Sequence, residues 1–438
     1  VKLPMSDLDD KAARVLRLIM RTEMDRNRPY GSLNSDEHYA AARKIGGEGI
    51  VLLKNDKDIL PIKPSTGKIL VVGENAIKMM TVGGGSSSLK VQRELLPLDG
   101  IREQAAKNGI EVVYERGYVG DVTGEYNGVK TGQDLTDSRS ADELIADAVK
   151  AARDADMVVF IGGLNKSDHQ DAEGVDRLDY ALPYNQDRVI EALAKANPNL
   201  VVLSLTGNAY SMPWRDKVPA IVQGWYIGSE AGHAIADVLF GEVNPSGKLP
   251  MTFARDLTDY APHASGDSLL YPGVGGKVEY KEGFDVGYRH TDKLKPGRVN
   301  YAFGHGLSYT TFSLGKPVAS SKEFDGEGNF RITVPVTNTG NREGAEVVQA
   351  YVRDVKSSLA RPYKELKAFD KVEVNPGETA DATLDFDRRS FAFYDPATHL
   401  WTLEPGRFEI LIGTSSDKIM ARVPVDVPVA LTWPDSEP

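Results

Sequence analysis

The chain of 438 residues contains no cysteine, which excludes disulfide bonds, thiolate metal ligands and a cysteine nucleophile. No apolar stretch approaches the roughly 20 residues that a membrane-spanning helix needs, so we expect no membrane partner. Positive charge is in the minority, because 52 Lys and Arg stand against 63 Asp and Glu, for a net charge of −11. Such an acidic chain repels nucleic-acid phosphates, so we expect no nucleic-acid partner either.

The signatures of several enzyme classes are also missing. There is no G-x-S-x-G turn for a serine hydrolase and no H-E-x-x-H for a metalloprotease. The seven histidines do not fall at metal-ligand spacing on one element. No glycine-rich segment continues into the GKS or GKT of a phosphate-binding loop. We therefore predict neither a metal site nor a cofactor.

Four segments of different character divide the sequence. Residues 1–36 hold one amphipathic helical pattern and a polar, turn-rich linker, whereas 37–255 alternate six short Val/Ile/Leu runs with Ala-rich amphipathic segments. Residues 256–315 lack sustained periodicity, which predicts a long, irregular connection. From 316 to 438, apolar residues alternate with polar ones between turn signals.

These patterns predict the fold class. Continuous apolar strands separated by helices are typical of a mostly parallel sheet covered on both faces, so 37–255 is predicted to be an α/β sandwich domain. Period-two strands predict an antiparallel β-sandwich over 316–438. Ligands of open parallel sheets bind at the carboxyl ends of the strands, and two loops are expected at that edge.

The first of these is the Gly/Ser loop, residues 83–88, which follows the apolar run KILVVG. Bare glycine backbone and small hydroxyl groups suit a hydroxyl-rich ligand such as a sugar. A flexible surface loop and a phosphate cradle are the alternatives. The cradle is disfavoured because Pro97 interrupts the region where a phosphate-capping helix should begin.

The second is the acidic loop, residues 164–183, which follows the run MVVFIGG. Its carboxylates are Asp168, Asp171, Glu173, Asp176 and Asp179. Carboxylates that are crowded in a cleft raise one another's pKa, and one of them can then stay protonated near neutral pH. That is the requirement for a general acid. A solvated acidic loop without function is the alternative that composition alone favours.

Several longer motifs carry a resemblance to a known family. They are ARKIGGEGIVLLKNDKDILPI (42–62), GGGSSSL (83–89), LLPLDGI (95–101), EGVDRLDYALPYNQ (173–186), GSEAGHAIADVLFGEVNPSGKLPMTF (228–253), YKEGFDVGYRH (280–290), FGHGLSYTTF (303–312), VTNTGNREGAEVVQAYV (336–352) and RPYKELKAF (361–369). In this order they resemble the family-3 glycoside hydrolases of the β-glucosidase type. The last two resemble the fibronectin-type-III-like domain of that family. The resemblance covers nearly the whole chain.

The resemblance implies a retaining hydrolase of β-linked glucosides. In the family, an Asp on a (β/α)8 barrel attacks the anomeric carbon, and a Glu of the α/β domain acts as general acid and then as base. Glu173 matches that Glu, and Asp171 or Asp176 would hold its pKa up. Arg177 would bind substrate or orient the acidic loop by ion pairing. The predicted substrate-binding hydroxyl groups on the aglycone side are those of Ser86, Ser87 and Ser88.

One departure from the family concerns the nucleophile. That Asp is typically followed by Trp, but the four tryptophans here follow Pro, Gly, Leu and Thr. The chain also lacks room for a barrel of about 250 residues, and residues 1–24 resemble only the last barrel helix. We therefore expect this chain to be the C-terminal part of a longer enzyme, with the barrel on the same or another chain as its partner.

The expected function is hydrolysis that releases terminal β-D-glucose from β-linked oligosaccharides or glycosides. A β-xylosidase of the same family is one alternative. A non-catalytic carbohydrate-binding or assembly module is the other, since fold alone does not establish activity. The substrate class indicates a periplasmic or extracellular location. The antiparallel C-terminal domain could support a homodimer, although no patch in the sequence demands one.

Overall fold

The computed structural model describes residues 3–22, 31–81, 86, 89–121, 125–126 and 129–434. They form two compact units, 1–40 and 41–438. In the first unit, α1 (Met5–Thr22) confirms the predicted amphipathic helix, and its apolar side chains, such as Leu8 and Leu16, are exposed. No helix in these described ranges is long and apolar enough to cross a membrane.

The α/β domain follows the predicted alternation of strands and helices. Its elements are α2 (Asp36–Gly49), β1 (Val51–Asn55), β2 (Lys68–Val72), α3 (Pro97–Ala106), β3 (Glu111–Glu115), β4 (Glu125–Tyr126), β5 (Val129–Lys130), α4 (Ala141–Arg153), β6 (Met157–Gly163), α5 (Gln186–Ala196), β7 (Leu200–Leu205), β8 (Ala220–Gln223), α6 (Ala231–Phe240) and β9 (Phe253–Ala254). All six apolar runs identified in the sequence form strands of one sheet, in the order β1-β8-β7-β6-β2-β3.

The sheet is parallel except for β1, which pairs antiparallel with β8. Every residue of β6 and β7 is buried, as expected for central strands covered on both faces. Residues of α4 and α5, such as Ala148 and Ile190, pack on one face, and residues of α3 and α6, such as Ile101 and Ile235, pack on the other. The carboxyl ends of β2, β6, β7 and β8 therefore share one edge, called the carboxyl edge below.

The connection and the β-sandwich complete the second unit. The elements are α7 (Ala261–Ala264), α8 (Tyr288–Thr291), β10 (Val299–Tyr301), β11 (Phe312–Leu314), β12 (Val318–Ala319), β13 (Phe330–Asn338), β14 (Gly344–Asp354), β15 (Glu365–Val374), β16 (Thr379–Phe386), α9 (Arg388–Phe391), β17 (Phe393–Asp395), β18 (Leu400–Leu403), β19 (Gly406–Gly413), β20 (Ile419–Val427) and β21 (Leu431–Trp433).

Two antiparallel sheets form the predicted β-sandwich. One contains β11, β13, β12 and β16, and the other has the order β15-β14-β19-β20. The strands alternate as the sequence indicated: along β13, for example, Ile332, Val334 and Val336 point inward and are buried. Phe391 of α9 is fully buried at the centre of an aromatic cluster in the core between the sheets.

The motif FGHGLSYTTF (303–312) joins the α/β domain to the β-sandwich. His305 Nε2 lies 2.9 Å from the carbonyl oxygen of Leu53 in β1, and Leu307 forms an isolated β-bridge with Leu52. On the other side, the Gln349 amide of β14 donates to the Gly304 carbonyl at 3.1 Å. This segment explains why residues 41–438 behave as one compact unit.

Candidate active site

The acidic loop leaves the carboxyl edge at Gly163, the last residue of β6. Gly163 has a φ of +121°, and a Cβ there would lie 2.2 Å from the carbonyl oxygen of Leu205, so only glycine fits. The fully buried Gln186 amide at the start of α5 accepts from the Gly163 N–H and donates to its carbonyl, each at 2.7 Å. Both ends of the loop are thereby fixed to the sheet.

A cleft of about 670 Å³ opens beside this loop. Its walls are the acidic loop, the residues after β7 and β8, and side chains of the segment 251–287, including Met251 and Tyr271. Glu173 and Asp171 both line it. The cleft lies where the rule for open parallel sheets places a ligand, at the carboxyl ends of the strands. Its size suits a small molecule such as a sugar unit.

Asp171 connects the acidic loop to two neighbouring strand ends. Its Oδ2 accepts from the Gly207 N–H at 2.7 Å and from the Tyr226 hydroxyl at 2.7 Å, and its Oδ1 accepts from the Asn208 amide at 2.9 Å. Gly207 and Asn208 follow β7, and Tyr226 follows β8. Sequence reasoning missed these three partners. The available signal was that they directly follow predicted strands at the carboxyl edge.

Glu173 is exposed, two residues beyond Asp171. Its Oε2 accepts a hydrogen bond from the Ser86 N–H at 2.5 Å. Hydrogen bonds from the Ser86 hydroxyl and N–H lower the pKa of the Glu173 carboxyl below its ordinary value. The expectation that Asp171 or Asp176 raises this pKa is wrong for this conformation. The Asp171 carboxylate instead accepts hydrogen bonds from other donors. Glu173 is too exposed for burial to raise its pKa by more than the Ser86 hydrogen bonds lower it.

The predicted serines have different outcomes. Ser86 of the Gly/Ser loop does lie beside Glu173 of the acidic loop. Ser87 and Ser88 lie outside the described residues, as do residues 82–85. On the described side, the Glu94 carboxylate accepts from the N–H groups of Met80 (2.6 Å) and Thr81 (3.1 Å) and so fixes the backbone just before the loop.

Arg177 holds the acidic loop by a different interaction from the one expected. Its guanidinium donates to the carbonyl oxygens of Ala209 at 2.7 Å, Tyr180 at 3.1 Å and Ala181 at 3.4 Å. The prediction of ion pairing is therefore wrong, because these partners are neutral backbone groups. Burial lowers the pKa of Arg177, and the nearby Asp171 charge opposes that shift. Its predicted contact with substrate stays a prediction.

The segment 251–287 supplies the remaining wall of the cleft. The Tyr180 hydroxyl donates to the Ala254 carbonyl at 3.0 Å and lies 3.0 Å from the Tyr260 hydroxyl. Tyr271 bonds to the Asp176 carboxylate, which raises the pKa of the tyrosine. These contacts attach the C-terminal half of the acidic loop to the connection, although none of these tyrosines was a sequence candidate.

Comparison with known families assigns the chain to one of them. Residues 50–309 match the model of the glycosyl hydrolase family 3 C-terminal domain, which is more than half of the chain. The chain belongs to glycosyl hydrolase family 3. Residues 346–416 match the fibronectin type III-like domain. Both matches confirm the family and the fold class that the sequence motifs indicated.

Individual relatives in the family have related names. Beta-glucosidase BoGH3A of Bacteroides ovatus is 45% identical over 428 residues, which are 96% of this chain and 56% of the relative. An exo-alpha-(1->6)-L-arabinopyranosidase of Bifidobacterium breve is 34% identical over 435 residues, which are 97% of this chain and 53% of the relative. The solved GH3 beta-glucosidase of Bifidobacterium adolescentis matches with a TM-score of 0.82 at 33% identity, covering 97% of this chain and 58% of that one.

The chain spans about half the length of the curated relatives it matches. No (β/α)8 barrel occurs among the residues that the structure describes. The described residues line the cleft with carboxylates and hydrogen-bonding groups, and Glu173 is exposed at its rim.

Proposed function

We propose that this chain supplies the general acid/base of a retaining β-glucosidase, and that Glu173 is that group. The observation that carries the proposal is the position of Glu173: an exposed carboxyl at the carboxyl edge, beside a cleft of about 670 Å³, in a chain of glycosyl hydrolase family 3. The family resemblance puts the nucleophilic Asp on a (β/α)8 barrel, which would close the cleft from outside.

In the proposed reaction, Glu173 protonates the leaving oxygen while the barrel Asp attacks the anomeric carbon. The resulting carboxylate then takes a proton from the water that hydrolyses the glycosyl-enzyme intermediate. This mechanism needs two carboxyl groups roughly 5–5.5 Å apart, one ionised and one protonated. Docking of a barrel and sugar against the exposed Glu173 would remove water from it and raise its pKa, which opposes the effect of Ser86.

The proposed substrate class is terminal β-linked glucosides. Ser86, Ser87 and Ser88 would line the aglycone side, and Arg177 would keep the loop in shape through its carbonyl contacts. An arabinopyranosidase among the relatives indicates that the glycone varies within the family. We propose a location outside the cytoplasm, as in the relative of Salmonella typhimurium named periplasmic beta-glucosidase.

The test is Glu173→Gln in the polypeptide that carries this chain together with its barrel. We expect kcat/KM for phenyl β-D-glucoside to fall by about 10²–10⁴-fold, the usual contribution of a general acid. Added azide should partly restore turnover of an activated aryl glucoside, because it replaces the water that the lost base would activate.

The matched control is Glu191→Gln, which removes a surface carboxylate of α5 that pairs with Lys217 at 2.6 Å. It should keep wild-type kinetics. Wild-type rates in Glu173→Gln would contradict the assignment and favour a carbohydrate-binding module without acid/base chemistry.

A further inference from the structure

Asp171 has an unusually complete set of partners for a half-buried side chain on a loop. Three donors from two separate segments converge on its two oxygens at 2.7–2.9 Å, namely the Gly207 N–H, the Asn208 amide and the Tyr226 hydroxyl. Its own N–H donates to the Asn165 carbonyl at 3.0 Å, near the start of the same loop. Hydrogen bonds to a charged acceptor are shorter and stronger than neutral ones, so this carboxylate is a firm attachment point.

Lys166 supports the same arrangement from the other side. Its ammonium group lies 3.6 Å from the centre of the Tyr226 ring, a cation–π contact. Burial lowers the pKa of Lys166, and the Asp171 charge opposes that shift. Lys166 thus covers the ring whose hydroxyl donates to Asp171. Tyr226 thus contacts the acidic loop twice, through its ring at Lys166 and through its hydroxyl at Asp171.

The covalent chain transmits this attachment to Glu173. Only Ala172 separates the two residues, and two residues span at most about 7 Å. Glu173 itself is exposed and bonded only to the Ser86 N–H and hydroxyl in the described part of the chain. The Asp171 contacts before Glu173, together with the Arg177 contacts after it, therefore set the backbone position of Glu173 relative to the sheet. Proton transfer demands placement of this kind, because a displacement of 1 Å can cost about 10²-fold in rate.

We infer that Asp171 is a positioning residue for the acid/base group, fastening the acidic loop to the ends of β7 and β8 so that Glu173 faces the cleft. The inference rests on the proposed function of Glu173. Asp171 itself does not touch the reacting atoms. Asp171 affects the reaction only through the position of Glu173. Its substitution should therefore slow the step in which Glu173 donates a proton.

Because only proton donation is affected, the loss of rate should depend on the leaving group, whereas a loss of folded protein would lower the rates of all substrates equally. A phenyl leaving group needs protonation, whereas a 2,4-dinitrophenyl group leaves well without it. We therefore compare kcat/KM for the two glucosides in the enzyme that contains this chain. In Asp171→Ala, the phenyl glucoside should lose at least about 10-fold more than the dinitrophenyl glucoside, as expected for a misplaced acid. A merely structural role would lower both values by the same factor.

Two further variants keep the test decisive. Tyr226→Phe removes one of the three donors without changing the loop sequence, and should shift the ratio in the same direction by a smaller factor. Asp156→Ala is the matched control, since Asp156 accepts from the Gly67 and Lys68 N–H groups at 2.8 and 2.9 Å before β6, at the opposite edge of the sheet. It should leave the ratio unchanged.

The outcomes separate this inference from the proposed function. If Glu173→Gln abolishes phenyl glucoside hydrolysis but Asp171→Ala and Tyr226→Phe keep the wild-type ratio, Asp171 is not a positioning residue and the acid/base assignment stands. If Glu173→Gln is as active as wild type, the proposed function fails first. A ratio that shifts in both Asp171→Ala and Tyr226→Phe, and not in Asp156→Ala, supports the inference.

Discussion

At the scale of residues, the same chemical pair occurs twice in this chain with two different consequences. The Ser140 N–H and hydroxyl both donate to the Glu143 carboxylate at 2.7 Å, and the Glu143 N–H donates to the Ser140 hydroxyl at 3.3 Å, which completes the capping box that begins α4. The Ser86 N–H and hydroxyl bond to Glu173 in the same way. Both carboxyl groups have a lowered pKa for the same reason: the donors stabilise the charged form.

This pairing predicts the effect of Ser86→Ala on Glu173. The Ser86 hydroxyl is the largest cause of the lowered pKa, so its removal should move the pKa of Glu173 upward, toward the value of a free glutamate. The sign also fixes the pH range of the loop contact: it is stable while Glu173 is ionised and weakens as the pH falls through its lowered pKa.

The measurement is a carbon-13 NMR titration of the glutamate carboxyl groups, with Glu173→Gln to identify the signal. Glu143 is the internal control, because its serine partner is untouched and its titration should not move. A Glu173 signal that titrates as in wild type would show that the hydroxyl contact is absent in solution.

At the scale of elements, Gln186 ties the two ends of the acidic loop together. It closes the loop by bonding to both backbone groups of Gly163. In Gln186→Leu, a change of similar volume, two buried backbone groups lose their partners, which costs about 1–3 kcal/mol each. We expect a lower midpoint of urea unfolding and faster proteolysis within residues 164–185.

The control for this prediction is Gln92→Leu, which replaces an exposed glutamine by the same side chain. Its unfolding midpoint should stay at the wild-type value. Equal midpoints for the two leucine variants would mean that the Gln186 contacts do not hold the loop.

The elements also show what the sequence could predict. All six strands of the main sheet were foreseen, because strands buried on both faces must be continuously apolar. Helix α2 was not, since Gly46 and Gly47 are poor helix formers. The structure shows why Gly46 lies in this helix. A Cβ at Gly46 would lie 3.1 Å from the Ala234 Cβ, so the glycine allows α2 to approach α6. Such a contact between distant parts of the chain leaves no local pattern.

The candidate site divides in the same way. Glu173 was named from a motif of adjacent residues, which a sequence displays directly. The donors to Asp171 stand 36 to 55 positions away along the chain and meet it only because parallel strands align their carboxyl ends. The lowered pKa of Glu173 likewise depends on a loop 87 positions earlier. The sequence indicates that these residues follow strands at one edge, but the individual contacts depend on how the loops fold over that edge.

At the scale of the whole molecule, the α/β domain and the β-sandwich are joined by close backbone contacts. Between residues 247–249 and 304–306, the Leu249 N–H donates to the His305 carbonyl at 2.9 Å and the Gly304 N–H donates to the Leu249 carbonyl at 2.8 Å. Nearby, the buried Lys364 ammonium pairs with Asp292 at 2.5 Å, which ties the residue before β15 to the residue after α8. Segments of the α/β domain, the connection and the sandwich thus share one interface.

Gly306 lies at this interface in a position where a side chain does not fit. A Cβ at Gly306 would lie 2.0 Å from the carbonyl oxygen of Gly247, a backbone atom that cannot rotate away. Gly306→Ala must therefore push residues 247 and 306 apart and stretch the neighbouring hydrogen bonds. Overpacking of this kind costs about 1–3 kcal/mol or more, so we expect differential scanning calorimetry to show a thermal midpoint several degrees lower.

The matched control for Gly306 is Gly406→Ala, because a Cβ at Gly406 meets no atom within 4 Å and its φ is not positive. That variant loses the same backbone freedom in the unfolded chain without steric conflict, so its midpoint should equal or slightly exceed the wild-type value. If the two alanine variants melt together, the FGHGLSY segment does not join the domains as tightly as the distances require. If only Gly306→Ala falls, the tight approach of residues 247 and 306 is required for the joint stability of the α/β domain and the β-sandwich.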